Sequence, residues 1–169
     1  AEDRAVELLA ERAQSHDRAR HATAEARALA DGACAWLDLP ARERSLVAHA
    51  VSLGAWAWSG DGQAALATLA SHEDSPRLAL LQELIERSAQ LDVPGHLPAE
   101  RREAALLVGV CVRTAVARAS GRSREEAWST AIGWASAQLD PRVHEALASA
   151  AEKREPERAR RPGSVLRAA

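Results

Sequence analysis

The stretch AALLVGVCVRTAV, residues 104–116, decides the fold class of this chain. Before Arg113 every position is apolar or glycine, so a helix through it is apolar on nearly every face and is expected at the centre of the molecule. Pro98 opens this helix at a place where its missing N–H is not needed. About a quarter of the chain is alanine, which favours closely packed helices. The sequence therefore predicts an all-α fold.

Helix-start signals on both sides of that stretch divide the rest of the chain. Ser75 before Pro76 predicts an N-cap followed by proline at the first helical position. Ser123 with Glu126 three residues later predicts a capping box, and Asp140 before a proline predicts another cap. No segment shows a strand pattern stronger than a short apolar run. We expect a compact single-domain bundle of about six to eight helices, with further helices at 15–39, 63–70 and directly after Pro40.

Composition divides the chain into three parts. Residues 1–15 are predicted to form an amphipathic helix, a candidate surface for a homodimer or another protein partner, with Val6, Leu9 and Ala10 in its apolar stripe. Residues 16–153 form the helical domain, which is long enough to bury a core. Residues 154–169 are basic and contain proline, as is typical of a tail or linker.

Charge and cysteine usage limit the classes of partner. The formal net charge is −2, so no global field favours nucleic acid or a membrane surface, and neither is expected as a partner of this domain. No stretch has the length of a membrane span. Cys34 and Cys111 are far apart in apolar stretches, which favours buried free thiols in a reducing compartment. We expect a cytoplasmic protein.

Six histidines raise the question of a catalytic or metal site. His49 stands out because its neighbours are apolar. Ser45 and Leu53 lie one turn away on its helical face, and no carboxylate shares that face within one turn. Because a catalytic histidine needs an orienting partner, we interpret His49 as a core or interface residue. Helix starts, polar loops or helix surfaces account for others: His16, His72, His96 and His144.

Four segments in order are similar to one known family. SREEAWSTAIGWASAQLDPRVHEAL at 123–147 resembles the closing pattern of the HD-GYP branch of the helical HD phosphohydrolases. AALLVGVCVRTAV resembles that family's central helix, QLDVPGHLP at 90–98 its Gly-Tyr-Pro loop, and AHAVSLGAW at 48–56 its His-Asp segment. The resemblance covers most of residues 20–150 and implies an HD-domain-like bundle. The matching positions are Gly54, Asp92, Gly95, Leu139, Asp140, Pro141 and Val143.

The departures from the family pattern fall on its metal ligands. Where the resemblance places metal-binding His, Asp and neighbouring residues, this chain has Ala22, Val51, Ser52, Arg87, Ser88 and Cys111. A hydrolytic metal centre needs several oxygen and imidazole donors in one pocket. The resemblance therefore implies a helical shell without metal, cofactor or catalytic residues.

The predicted function is a non-catalytic regulatory domain that interacts with a protein or senses a small apolar ligand, attached to a signalling or transcriptional module. A ligand could occupy the position where the HD-GYP family binds its metal. The candidate lining residues are His49, Val51, Trp56, Arg87 and Cys111. Packing could equally fill that position, because tryptophans in a chain without phenylalanine are expected in the core.

Two alternatives stay open. One is a metal-dependent phosphohydrolase with rearranged ligands drawn from His16, Asp17, His21, His49, His72 and Asp92. It requires that these residues converge on one pocket. The other is an unrelated helical effector-binding domain of a transcription factor, against which stands the lack of a recognisable helix-turn-helix.

Overall fold

The structure is a computed structural model that describes residues 17–58, 67, 76–89 and 98–153, and six α-helices account for nearly all of them. The predicted all-α bundle of six to eight helices is confirmed in this part of the chain. The helices are α1 (Asp17–Trp36), α2 (Ala41–Trp58), α3 (Pro76–Ala89), α4 (Ala99–Ala119), α5 (Arg124–Ala135) and α6 (Pro141–Lys153).

Helix α4 lies at the centre of the bundle, as its apolar sequence predicts. It packs against each of the other five helices. Every residue from Ala105 to Val112 is buried. Around it, α1 packs on α2 and α6, and α2 packs on α3. The stretch that decided the fold class therefore forms the core to which the other helices attach.

Short-range signals fix where the helices start. The Ser123 hydroxyl accepts from the Glu126 N–H at 3.2 Å, and the Glu126 carboxylate accepts from the Ser123 N–H at 3.1 Å, so the predicted capping box is present. Asp140 caps α6 by accepting from the Arg142 N–H at 2.8 Å. Helix α3 begins at Pro76, as predicted.

Small residues let the helices approach closely. A Cβ on Gly32 of α1 would lie 2.8 Å from the Cβ of Ala150 of α6. Since real Cβ atoms do not come so close, α1 and α6 pack at a distance that glycine alone allows there. The Gly32–Ala150 contact thus sets a short distance between α1 and α6.

Several predictions concern residues outside the described part of the chain. They are the N-terminal helix at 1–15, the helix at 63–70 apart from helical Ala67, most of the loop at 92–98, and the tail at 154–169. Among the helices that the structure describes, none combines the length and the hydropathy needed to span a bilayer.

Candidate functional site

An apolar cleft of about 390 Å³ lies between α2, α3 and α4, beside the start of α6. Its lining joins buried side chains to half-buried ones, so the cleft connects the core with the surface. The buried lining residues are Val47, Leu84, Leu107 and Val143, and the half-buried ones are Leu37, Leu39, Leu46, Leu80 and Ala104. A concave apolar site of this size is at the small end of the range that binds organic ligands.

The connection from α1 to α2 supplies one side of this cleft. The Leu37 N–H donates to the Ala33 carbonyl at 3.0 Å, and the Leu39 N–H donates to the Cys34 carbonyl at 3.1 Å. Asp38 between them has φ +52°, a left-handed conformation that aspartate tolerates better than most residues. The turn therefore brings two leucines from outside the helices to the same cleft.

Three charged side chains complete the lining of the cleft. They are Glu43 near the start of α2, and Arg101 and Glu103 near the start of α4. Arg101 Nη1 lies 3.2 Å from Glu83 Oε2 of α3, so its charge is already paired. Within the described ranges, Glu43 and Glu103 have no ion-pair partner. The cleft thus combines an apolar interior with two carboxylates that no described residue pairs.

A second cluster lies where α2, α3, α4 and α5 meet. The Arg113 guanidinium of α4 is 4.9 Å from the ring centroid of Trp58 and 4.1 Å from that of Trp134. It also donates to the Ser88 carbonyl at 3.4 Å. Burial lowers the pKa of Arg113 below its usual value, but a guanidinium stays charged at neutral pH. This stack joins side chains or backbone of four helices.

The two thiols are buried, and their raised pKa values disfavour the reactive thiolate form. Burial, and then the neighbouring Asp31, raise the pKa of Cys34 to about 11. Burial, and then Cys34 itself, raise the pKa of Cys111 well above its usual range. Because the thiolate is the nucleophile and the metal ligand, neither residue is suited to that chemistry near neutral pH. The prediction of buried free cysteines is confirmed.

The five predicted pocket residues occupy different environments. Val51 and Cys111 are fully buried and Trp56 is 4% exposed, all three within the main core. His49 of α2 and Arg87 of α3 are half-buried. None of the five lines the cleft described above. A ligand that touched Val51 and Cys111 would have to displace core packing, and a pocket made of these five residues stays a prediction.

The other positions that the resemblance assigns to metal ligands are also buried. Ala22 is fully buried on α1. The Ser52 hydroxyl donates to the Ala48 carbonyl at 2.8 Å, and the Ser88 hydroxyl donates to the Ile85 carbonyl at 2.8 Å. Both serines thus satisfy their hydroxyls within their own helices.

The structure describes only some of the candidate ligands of the rearranged metal site. His16, His72 and Asp92 lie outside the described residues. His21 is exposed on α1. Within residues 17–58, 76–89 and 98–153 no three His, Cys, Asp or Glu side chains converge as a metal site requires.

Sequence reasoning missed the cleft because its lining comes from four helices and one connection. A usable signal was present in Leu37 and Leu39, two leucines just outside a helix on either side of a polar residue. Leu80 and Leu84 lie one turn apart on α3, and helical periodicity alone would assign both of them to the core.

The fold and the cleft define the class of this protein as an all-α bundle with an apolar surface cleft. No protein-family model, no curated protein and no solved structure matches the chain. The HD-GYP resemblance therefore stays a prediction.

Proposed function

We propose that this chain is a non-catalytic regulatory domain that senses a small apolar ligand bound in the cleft between α2, α3 and α4. The observation that carries the proposal is the cleft itself, to which the described residues contribute nine aliphatic and three charged side chains. Burying an apolar ligand against such a lining is favourable by roughly 25 cal/mol per Å² of apolar surface. The ligand would contact four helices together. It would therefore favour the arrangement of those helices that it binds most tightly.

The HD-GYP resemblance supports the non-catalytic part of the proposal through the chemistry of individual residues. Ala22 and Val51 carry no donor atoms for a metal. Ser52 bonds to its own helix, and Cys111 is a buried thiol of raised pKa. The shell that these residues form would serve a regulatory role in which binding replaces hydrolysis.

The test is a titration of the purified chain with N-phenyl-1-naphthylamine, a neutral dye whose fluorescence rises in apolar sites. We expect saturable binding with one dye per chain and a rise in melting temperature, because a ligand that binds only the folded state stabilises it. Non-saturable fluorescence, as seen with non-specific adsorption, would overturn the proposal.

A matched pair of variants locates the site. Ala104→Phe places a ring in the cleft, whereas Ala119→Phe places the same ring on the exposed end of α4. We expect A104F to lose dye binding and A119F to keep it, with helical circular dichroism retained by both. A104V adds less volume and replaces A104F should the latter fail to fold. Equal dye binding by the cleft variant and A119F would place the site elsewhere and refute the assignment.

A further inference from the structure

We infer that the ligand of the cleft is an amphipathic organic cation, a small molecule with an apolar body and a positively charged head group; this inference rests on the proposed function. The first step is the shape and chemistry of the lining. Aliphatic side chains from four helices and the α1–α2 connection surround a volume of about 390 Å³. That interior accepts a hydrocarbon body and offers a polar head group no partner among its aliphatic side chains.

The second step is the charge of the lining. Glu43 and Glu103 both line the cleft, and neither has an ion-pair partner among the residues that the structure describes. Glu103 is half-buried, so its charge is less screened than that of a fully exposed carboxylate. A cationic head group beside these two carboxylates would supply a positive charge that no described residue places there.

The third step is the state of Arg101, the positive lining residue in the described part of the chain. Arg101 is held 3.2 Å from Glu83, and their side chains are 54% and 29% exposed. An anionic ligand would have to draw Arg101 away from Glu83 and would also meet the charges of Glu43 and Glu103. A cation leaves the Arg101–Glu83 pair in place. Charge complementarity therefore selects a cation over an anion of the same apolar body.

The experiment compares three probes with the same ten-carbon chain: decyltrimethylammonium, 1-decanol and decanoate. The two ions are used below their micellar concentrations and the alcohol below its solubility limit. Each displaces N-phenyl-1-naphthylamine from the chain, so all affinities refer to one site. We expect the cation to bind about tenfold more tightly than the alcohol, as two partly exposed ion pairs provide. Decanoate is expected to bind most weakly, and added salt should reduce the advantage of the cation.

Two double variants with the same change in net charge separate the cleft carboxylates from the general field. E43Q/E103Q removes the charges of the cleft, and E145Q/E152Q removes two exposed charges of α6. We expect the first to abolish the preference for the cation over decanol, measured as the ratio of the two affinities. The second should leave the preference intact.

The outcomes separate this inference from the proposed function. Equal affinity for the three probes, or tightest binding of decanoate, would overturn the cationic assignment while the cleft stays a binding site. A preference for the cation that survives in E43Q/E103Q would also overturn it. Absence of saturable dye binding refutes the proposed function and the inference together.

Discussion

At the scale of the residue, Arg113 carries more contacts between elements than its position in an apolar helix suggests. Its guanidinium stacks on Trp58 and Trp134 and donates to the Ser88 carbonyl. An arginine in the stretch 104–116 reads from the sequence as the polar edge of a core helix. Which rings lie beside it depends on α2 and α5, so the sequence alone does not provide the stack.

Replacing Arg113 by alanine removes this stack. We expect R113A to lower the free energy of unfolding by about 1–2 kcal/mol, since two cation–π contacts and the packed aliphatic stem are lost together. R113K keeps the charge but not the planar group and should show a smaller loss. Urea unfolding followed by tryptophan fluorescence measures both. The control is R142A on the exposed start of α6, and a loss no larger than that of this control would contradict the prediction.

The buried thiols predict a pH dependence of stability. The folded state raises the pKa of Cys34 from about 9 to about 11 and raises that of Cys111 further. Above pH 9 the unfolded chain therefore releases these protons first, and stability is lost as the pH rises toward the folded-state values. The slope is at most about 1.4 kcal/mol per pH unit for each thiol. Urea unfolding between pH 8 and pH 10.5 measures it.

The variant C34A/C111A has no thiol to ionise and should lose this slope, whatever its stability at pH 7. Between pH 7 and pH 8 neither protein should show a thiol-dependent slope, which provides an internal control. Parallel pH profiles of the variant and the parent chain would show that other groups cause the change.

At the scale of the element, replacing either of two helical glycines by alanine compares the steric cost of an added Cβ with the gain in helix propensity. A Cβ on Gly109 of α4 would overlap the ring of Trp134, whereas a Cβ on Gly133 of α5 would meet no atom within 4 Å. Alanine is a better helix former than glycine by roughly 1 kcal/mol at both positions. The two substitutions therefore share the gain in propensity and differ in the steric cost.

We expect G133A to stabilise the chain by up to about 1 kcal/mol and G109A to destabilise it by about 1–3 kcal/mol through overpacking. Chemical denaturation of both variants measures the difference. G109A should also change the tryptophan emission spectrum, because Trp134 has to move relative to Arg113. A G109A variant as stable as G133A would mean that the ring moves aside without loss.

The helices themselves follow from local signals that the sequence displays. Pro76, the Ser123–Glu126 capping box and Asp140 each lie within a few residues of the helix start that they mark, so these starts are readable without the fold. The central position of α4 follows from its uniform apolarity. The connection between α1 and α2 could not be read this way, because Asp38 takes a left-handed conformation that its residue type permits but does not require.

At the scale of the whole molecule, α4 serves both the core and the candidate site. Leu106 is fully buried in the core, whereas Ala104 is a half-buried wall of the cleft and Leu107 reaches both. Sequence reasoning placed the site at Val51, Trp56 and Cys111 because the family resemblance pointed there, and the structure has these side chains in the core. The cleft depends on how four helices meet, which no short segment encodes.

The division between core and cleft predicts that stability and binding respond to different leucines. Leu106→Ala creates a cavity at the centre of the bundle and should lower the free energy of unfolding by about 2–5 kcal/mol. Leu80→Ala shortens a half-buried wall of the cleft and should lower it by about 1 kcal/mol or less, since water or the ligand can take the space. Urea unfolding and titration with N-phenyl-1-naphthylamine are measured on the same two variants. L80A should weaken dye binding several-fold at nearly full stability, whereas folded L106A should bind with almost unchanged affinity. The reverse pattern would mean that the leucines lining the cleft stabilise the fold as core residues do, and the division between core and cleft would be wrong.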